Sequence, residues 1–95
     1  MAPVRRLVID VLKPHDPPLI DFTDHVTEIE SVEAVTASLI ELDREVQNVK
    51  LTFEGADVDF EAIEEAVENL GGAVHSIDQV SSGEHIVTDR VTFQD

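Results

Sequence analysis

Four segments of the chain alternate apolar and polar residues, as a β-strand with one buried face requires. The clearest is residues 48–54, in which single polar residues separate Val49, Leu51 and Phe53. Weaker versions of the pattern extend over residues 4–12, 33–43 and 73–80. We therefore predict four strands, of which the first and the last are partly apolar on both faces.

Two further segments show the spacing of three and four residues that places apolar side chains on one side of a helix. The two stripes are Leu19, Phe22, Val26 and Ile29 in the first segment, and Phe60, Ile63, Val67 and Leu70 in the second. Gly71 and Gly72 follow the second stripe, and glycine readily adopts the left-handed conformation that ends many helices. We expect both stripes to pack against the strands and form one core.

The predicted helix starts depend on aspartates that can accept hydrogen bonds from free backbone N–H groups. Asp16 precedes Pro17, and proline is favourable at the first helical position. We therefore predict that the first helix begins there and runs to about Glu30. Asp57 or Asp59 is the corresponding cap of the second helix.

The predicted elements follow one another in the order strand, helix, strand, strand, helix, strand. The strand–helix–strand unit occurs twice in this order, which is typical of the split βαβ arrangement. We therefore predict an α+β fold, a ferredoxin-like βαββαβ sandwich in which two helices cover one face of a four-stranded antiparallel sheet. Residues 1–83 account for this domain, and a chain of this size has enough apolar residues for one modest core.

An extra C-terminal segment, residues 84–95, follows the predicted domain. It contains Ile86, Val87, Val91 and Phe93, which are more apolar side chains than a tail in water is expected to carry. We expect this segment to take part in contacts between subunits of a homo-oligomer.

The charge of the chain is strongly negative. It contains 21 Asp and Glu residues against 6 Lys and Arg residues, a net charge of −15. Such a field repels nucleic acid phosphates and anionic membrane surfaces, so we expect neither as a partner. The acidic residues are spread along the whole chain, which favours adaptation to a salt-rich cytoplasm over a localised cation-binding surface.

Cysteine is absent from the chain. This excludes disulfides and thiolate metal sites, including the Cu(I) sites of heavy-metal carriers that share the predicted fold. The N-terminus also lacks an apolar stretch of the length found in signal peptides, and no run approaches the length of a membrane span. We expect a cytoplasmic protein.

Two sequence segments point to a family: RRLVIDVLKPHDPP at residues 5–18 and GGAVHSIDQV at residues 71–80. With the strand-pair segment between them, they resemble the small archaeal family called domain of unknown function 211. The resemblance covers essentially the whole chain. It implies a ferredoxin-like fold and self-assembly into rings or larger oligomers, and it implies no established reaction. Within that family the acidic composition resembles a member from a salt-loving archaeon.

The arrangements typical of catalysis are missing from the sequence. No glycine-rich phosphate motif occurs. His75 and Ser76 are neighbours in a predicted strand, so their side chains are expected on opposite faces and do not form a nucleophile–base pair. We interpret the protein as a non-enzyme.

A metal site is the sharpest chemical hypothesis. In the predicted fold the first and fourth strands are antiparallel neighbours, so His15 and His75 are expected at the same edge of the sheet, near Asp16. Asp10 and Asp78 lie in the middle of the same two strands. Imidazole ligands favour Zn, Cu(II) or Ni as the divalent cation. The simpler interpretation is that both rings make only local hydrogen bonds.

The sequence thus leaves two functional hypotheses. The first is a non-catalytic module for oligomeric assembly or small-ligand binding, and it depends on the fold, the two-sided strands and the apolar tail. The alternative is a protein that binds or buffers divalent metal ions through His and carboxylate side chains.

Overall fold

Residues 2–87, the part of the chain that the computed structural model describes, form four strands and two helices in the predicted order. The elements are β1 (Val4–Pro14), α1 (Leu19–Thr27), β2 (Ala34–Leu42), β3 (Val46–Glu54), α2 (Phe60–Asn69) and β4 (Ala73–Ser82). The predicted α+β fold is therefore confirmed.

The strands form one antiparallel sheet in the order β2-β3-β1-β4. β1 registers with β3 from Arg6 opposite Glu54 to Pro14 opposite Val46, and β4 lies on the other side of β1. The expected pairing of the first and fourth strands is thus confirmed. β2 and β4 are the outer strands of this sheet.

The core lies between the sheet and the two helices. Its buried members are Leu7, Ile9, Val11, Phe22, Val26, Val32, Val49, Leu51, Phe53, Val58, Ile63 and Val67. Leu19, Phe60 and Leu70, which the helical stripes also place there, are partly buried and pack against this cluster. Both predicted stripes therefore face the sheet, as an amphipathic helix on a sheet requires.

The start of α1 differs from the prediction. Asp16 does not cap the helix, because Pro18 is the residue that precedes it, in an extended conformation and without a capping side chain. A residue before a proline is disfavoured in the helical conformation, so Pro18 keeps Pro17 out of the helix. α1 therefore begins at Leu19.

The end of α1 also comes earlier than predicted, at Thr27 instead of about Glu30. The hydroxyl groups of Thr23 and Thr27 donate to the carbonyl oxygens four residues before them, each at 2.7 Å. Such bonds compete with the backbone ladder and weaken a helix. Beyond the helix, Ile29 still packs against the core.

The boundaries of α2 agree with the prediction. The carboxylate of Asp59 accepts hydrogen bonds from the backbone N–H groups of Glu61 and Ala62, so Asp59 is the cap and Asp57 is not. Gly71 has a positive φ of 88°, the left-handed conformation expected after a helix.

Three strands, β1, β3 and β4, are longer than their apolar patterns indicate, and β3 begins two residues early, at Val46. β1 includes Lys13 and Pro14, which register with Gln47 and Val46 of β3. The β2–β3 turn is correspondingly tight, and the Asp43 N–H donates to the Val46 carbonyl oxygen at 2.9 Å. β4 extends to Ser82. β2 is slightly shorter than predicted.

Candidate functional site

The edge of β2 that has no strand neighbour among residues 2–87 carries large apolar side chains. Leu39, Ile40 and Leu42 lie near its C-terminal end, and the exposed fraction of Ile40 is 60%. Leu39 registers with the buried Val49, so it lies on the helix side of the sheet, beyond the area that α1 covers. Ile40 is the extra residue where the register shifts between Leu39 and Glu41.

An apolar groove lies beside this edge, between α1 and β2. Its volume is about 250 Å³, and Leu19, Ile20, Thr23, Asp24 and Ala37 line it. Its size is slightly below the roughly 300–1,000 Å³ typical of pockets for small molecules. The groove fits an apolar side chain better than a complete ligand.

The opposite edge, β4, also exposes aliphatic side chains. Ile77 and Val80 are 50% and 53% exposed. They register with Ile9 and Leu7, so they lie on the helix side. The prediction of a strand that is apolar on both faces is wrong for β4, because two bulges bring its widely spaced apolar residues to one face.

Charge protects the β2 edge poorly. Residues 34–40 contain no charged side chain, although the chain as a whole carries 21 acidic residues. Proteins usually protect free sheet edges with charges, prolines or bulges, because unpaired backbone groups can add a further strand. The bulge at Ile40 is a protective feature of this kind.

The bulges of β4 contain two of the predicted metal ligands. His75 is the extra residue between Val74 and Ser76, and Asp78 is the extra residue between Ile77 and Gln79. Bulges redirect side chains at sheet edges. Asp78 accepts a hydrogen bond from the Ser76 hydroxyl at 2.7 Å, and His75 is exposed.

His15 is directed to a different part of the molecule. Its Nε2 lies 2.8 Å from the carbonyl oxygen of Asp43 in the β2–β3 turn. A carbonyl only accepts, so Nε2 donates, and it cannot bind a metal without breaking this bond. Because β1 separates β3 from β4, His15 turns away from the strand that carries His75.

The two remaining predicted metal ligands, Asp10 and Asp16, lie in different surroundings. Asp10 lies on the sheet face opposite the helices, where its Oδ2 is 3.5 Å from the side-chain amide nitrogen of Asn48. Asp16 lies in the loop before α1 and is exposed.

Within residues 2–87, no group of three or more His and carboxylate side chains lies close enough together to hold a metal ion. Binding of Zn, Cu(II) or Ni by His15, His75, Asp16, Asp10 and Asp78 stays a prediction that needs ligands from a second subunit. Zn titration of the wild type, His15→Ala and His75→Ala tests it, and equal binding by all three proteins would contradict it.

Lys13 is a buried residue that was not among the predicted core residues. Its side chain has no exposed area, and Nζ donates to the Pro14 carbonyl at 2.8 Å and to Gln47 Oε1 at 2.9 Å. The ammonium lies 5.8 Å from the centre of the Phe22 ring. Burial lowers the pKa of Lys13, although the negative charge of Asp16 acts in the opposite direction.

The end of the described chain lies beside the start of β1. Arg6, Gln79, Val80, Ser81 and Val87 line a cavity of about 320 Å³. The prediction that residues 84–95 contribute to subunit contacts concerns mostly residues outside those described, including Val91 and Phe93.

The strand order, the antiparallel pairing and the two helices over one face define a ferredoxin-like α+β sandwich. The chain belongs to the DUF211 family, described as "uncharacterized ArCR", whose family model matches residues 5–95. It is also similar to an uncharacterized protein of Methanocaldococcus jannaschii, with 42% identity over 95 residues, which is 100% of this chain and 98% of that relative. Neither helix in the described part of the chain is long and apolar enough to cross a membrane.

Proposed function

We propose that the protein is a non-catalytic module that assembles with copies of itself by continuing its sheet from one subunit to the next. The observation that carries this proposal is the exposure of aliphatic side chains along both free edges: Leu39, Ile40 and Leu42 on β2, and Ile77 and Val80 on β4. These side chains lie next to backbone groups that lack a strand partner within the described sheet.

The two edges differ from each other, and this difference favours a head-to-tail contact between subunits. If β4 of one subunit adds to β2 of the next, the contact is head-to-tail. A head-to-tail contact gives a ring when the rotation between subunits closes. In such a contact Ile77 and Val80 approach the apolar side of β2 and the groove beside α1. We therefore propose a ring or a larger closed homo-oligomer.

A single substitution on the β2 edge tests the assembly. Ile40→Lys places a charge on the exposed bulge, and we expect light scattering in molar KCl to show a smaller particle than the wild type. Ala56→Lys adds the same charge at an exposed loop position away from both edges and should leave the mass unchanged. A monomeric wild type, or equal masses for all three proteins, would refute the proposal.

We also propose that the protein acts in the cytoplasm of a salt-rich cell. A net charge of −15 on 95 residues produces repulsion within the folded chain. Salt weakens this repulsion by shortening the Debye length from ~30 Å at 0.01 M to ~3 Å at 1 M. The melting temperature should therefore rise from dilute buffer to molar KCl. A melting temperature that is independent of salt would show that the acidity has another purpose.

The C-terminal segment has its own test. If residues 84–95 contribute to the contacts between subunits, a chain that ends at Gly83 should form a smaller particle than the full chain. Circular dichroism must show that the shortened chain is folded, because the Gly83 carbonyl oxygen accepts a hydrogen bond from Arg5 Nε at 2.7 Å. A folded shortened chain with an unchanged subunit number would remove this segment from the interface.

A further inference from the structure

The sheet face opposite the helices, here called the outer face, is a second surface that residues 2–87 leave uncovered. It consists of alternate residues of β1 from Arg6 to Leu12 and the residues of β3 that register with them, from Glu54 to Asn48. Within residues 2–87, both helices pack on the other face. The outer face is separate from the two edges, so an inference about it does not depend on edge-to-edge assembly.

Along the two central strands the charge of the outer face is balanced, in contrast to that of the whole chain. On the outer strand β2 the same face also carries Glu41, which registers with Asn48. Arg6 registers with Glu54, and Asp10 registers with Lys50. The central strands therefore present two positive and two negative side chains there, a net charge of zero, in a protein whose total is −15. A face of this kind does not repel a second copy of itself, although most of the remaining surface does.

The outer face also contains buried polar atoms without hydrogen-bond partners. In the described part of the chain these atoms are Arg6 Nε and Asp10 Oδ1. Arg6 Nε is 3.8 Å from the Glu54 carboxylate, which is too far for a hydrogen bond. Buried polar atoms in folded proteins nearly always have a partner. Arg6 Nε is a donor and Asp10 Oδ1 is an acceptor. A partner that bonds to the two atoms must therefore offer one acceptor and one donor.

The middle of the outer face carries a nearly buried valine and short polar side chains. Val8, in its middle, is only 7% exposed, and its neighbours across the strands are Thr52 and Gln79. Sheets that pack face to face lie about 10 Å apart, with side chains that interdigitate. The short side chains of Thr52 and Ser76 suit this separation.

We propose that the outer faces of two copies of this chain pack against each other about a two-fold axis. A two-fold contact places the same surface on both sides, so a surface that fits itself must carry both charge signs and both donors and acceptors. The outer face has these properties. Arg6 and Asp10 are only half-buried as residues, so a rotation of each side chain would bring Arg6 Nε and Asp10 Oδ1 within reach of an acceptor and a donor of the partner copy.

Charge reversal tests this contact. Lys50→Glu changes the central charge of the face from zero to −2 on each copy, so we expect light scattering to give half the mass of the wild type. Arg44→Glu makes the same charge change at an exposed position in the β2–β3 turn and should keep the wild-type mass. The double variant Asp10→Lys/Lys50→Glu restores the balance and should regain that mass. A Lys50→Glu protein with the mass of the wild type would overturn the proposal.

A cysteine experiment identifies the occupant of the face. Because the chain has no cysteine, Thr52→Cys provides a unique thiol on the outer face. A bifunctional maleimide should link this variant into covalent dimers and into nothing longer, since each thiol is used once. If residues 88–95 of the same chain cover the face instead, the thiol will be protected in a monomer and become reactive when those residues are removed. That result would also overturn the proposal.

Discussion

The two faces of the sheet differ although the same strands build them. On the inner face Ile9, Val11 and Leu51 have no exposed area and belong to a core cluster that includes residues of both helices. On the outer face their neighbours in the sequence carry paired charges and short polar groups. Because side chains alternate along a strand, a shift of one residue would exchange the two sets. The inner face therefore fixes the register and most of the stability, and the outer face is left free to carry specificity.

The largest expected difference comes from an aromatic ring on the inner side. Phe22 has no exposed area, so Phe22→Ala should lower the free energy of unfolding by about 3–5 kcal/mol, because it removes buried surface and leaves a cavity. Urea denaturation in molar KCl measures this change. A loss below 1 kcal/mol would show that the inner face does not carry the stability.

A smaller effect is expected at the charged end of the inner face. Lys13→Met keeps the aliphatic stem but removes the donor to Pro14 O and Gln47 Oε1. Leaving buried acceptors without a donor should cost about 1–2 kcal/mol at pH 7. Gln47→Leu, which removes only the side-chain acceptor, is the matched control and should cost less. A Lys13→Met protein more stable than the wild type would mean that the cost of burying the charge exceeds the value of its hydrogen bonds.

The pH dependence of the same variant has a defined sign. Burial lowers the pKa of Lys13 in the folded protein, so between that pKa and about 10.4 the unfolded chain binds more protons than the folded chain. Stability rises with pH under this condition. The stability advantage of the wild type over Lys13→Met should therefore be constant below the folded pKa and grow as the pH rises toward 10. A constant difference over the whole range would contradict burial of a charged amine.

The smallest effect is expected on the outer face. Thr52 is half-buried in β3, and Thr52→Val keeps both its shape and its preference for a strand. The free energy of unfolding should change by less than about 0.5 kcal/mol, as is usual for a substitution outside the core. Thermal melting of dilute protein measures it, and a loss near that of Phe22→Ala would remove the distinction between the two faces.

Periodicity predicted most of the fold, because long apolar stripes and clean alternation are strong signals. The burial of Lys13 was also present in the pattern, since Lys13 follows Leu7, Ile9 and Val11 at intervals of two. The predicted start of α1 was wrong because Asp16 and Pro17 were considered without Pro18. Pro18 disfavours the helical conformation at Pro17, so the helix begins later.

The candidate site was less predictable for a physical reason. The apolar residues Val74, Ile77 and Val80 recur every three positions. Their partners in β1 are Val11, Ile9 and Leu7, which recur every two positions. This difference in spacing results from two bulges in β4, and His75 and Asp78 are the extra residues of those bulges. The direction of His15 depends on a bond to Asp43, which is distant in the sequence, and no local pattern contains that information.

The position of β1 has a consequence for the synthesis of the chain. β1 is made before the other three described strands, but it lies between β3 and β4. Arg5 donates to the carbonyl oxygen of Gly83, 78 residues later. Contacts between such distant residues require large loops to close and slow the folding of a domain. A chain that stalls before β4 is complete leaves one side of β1 unpaired, so this four-stranded sheet can form in full only after Ser82 has been made.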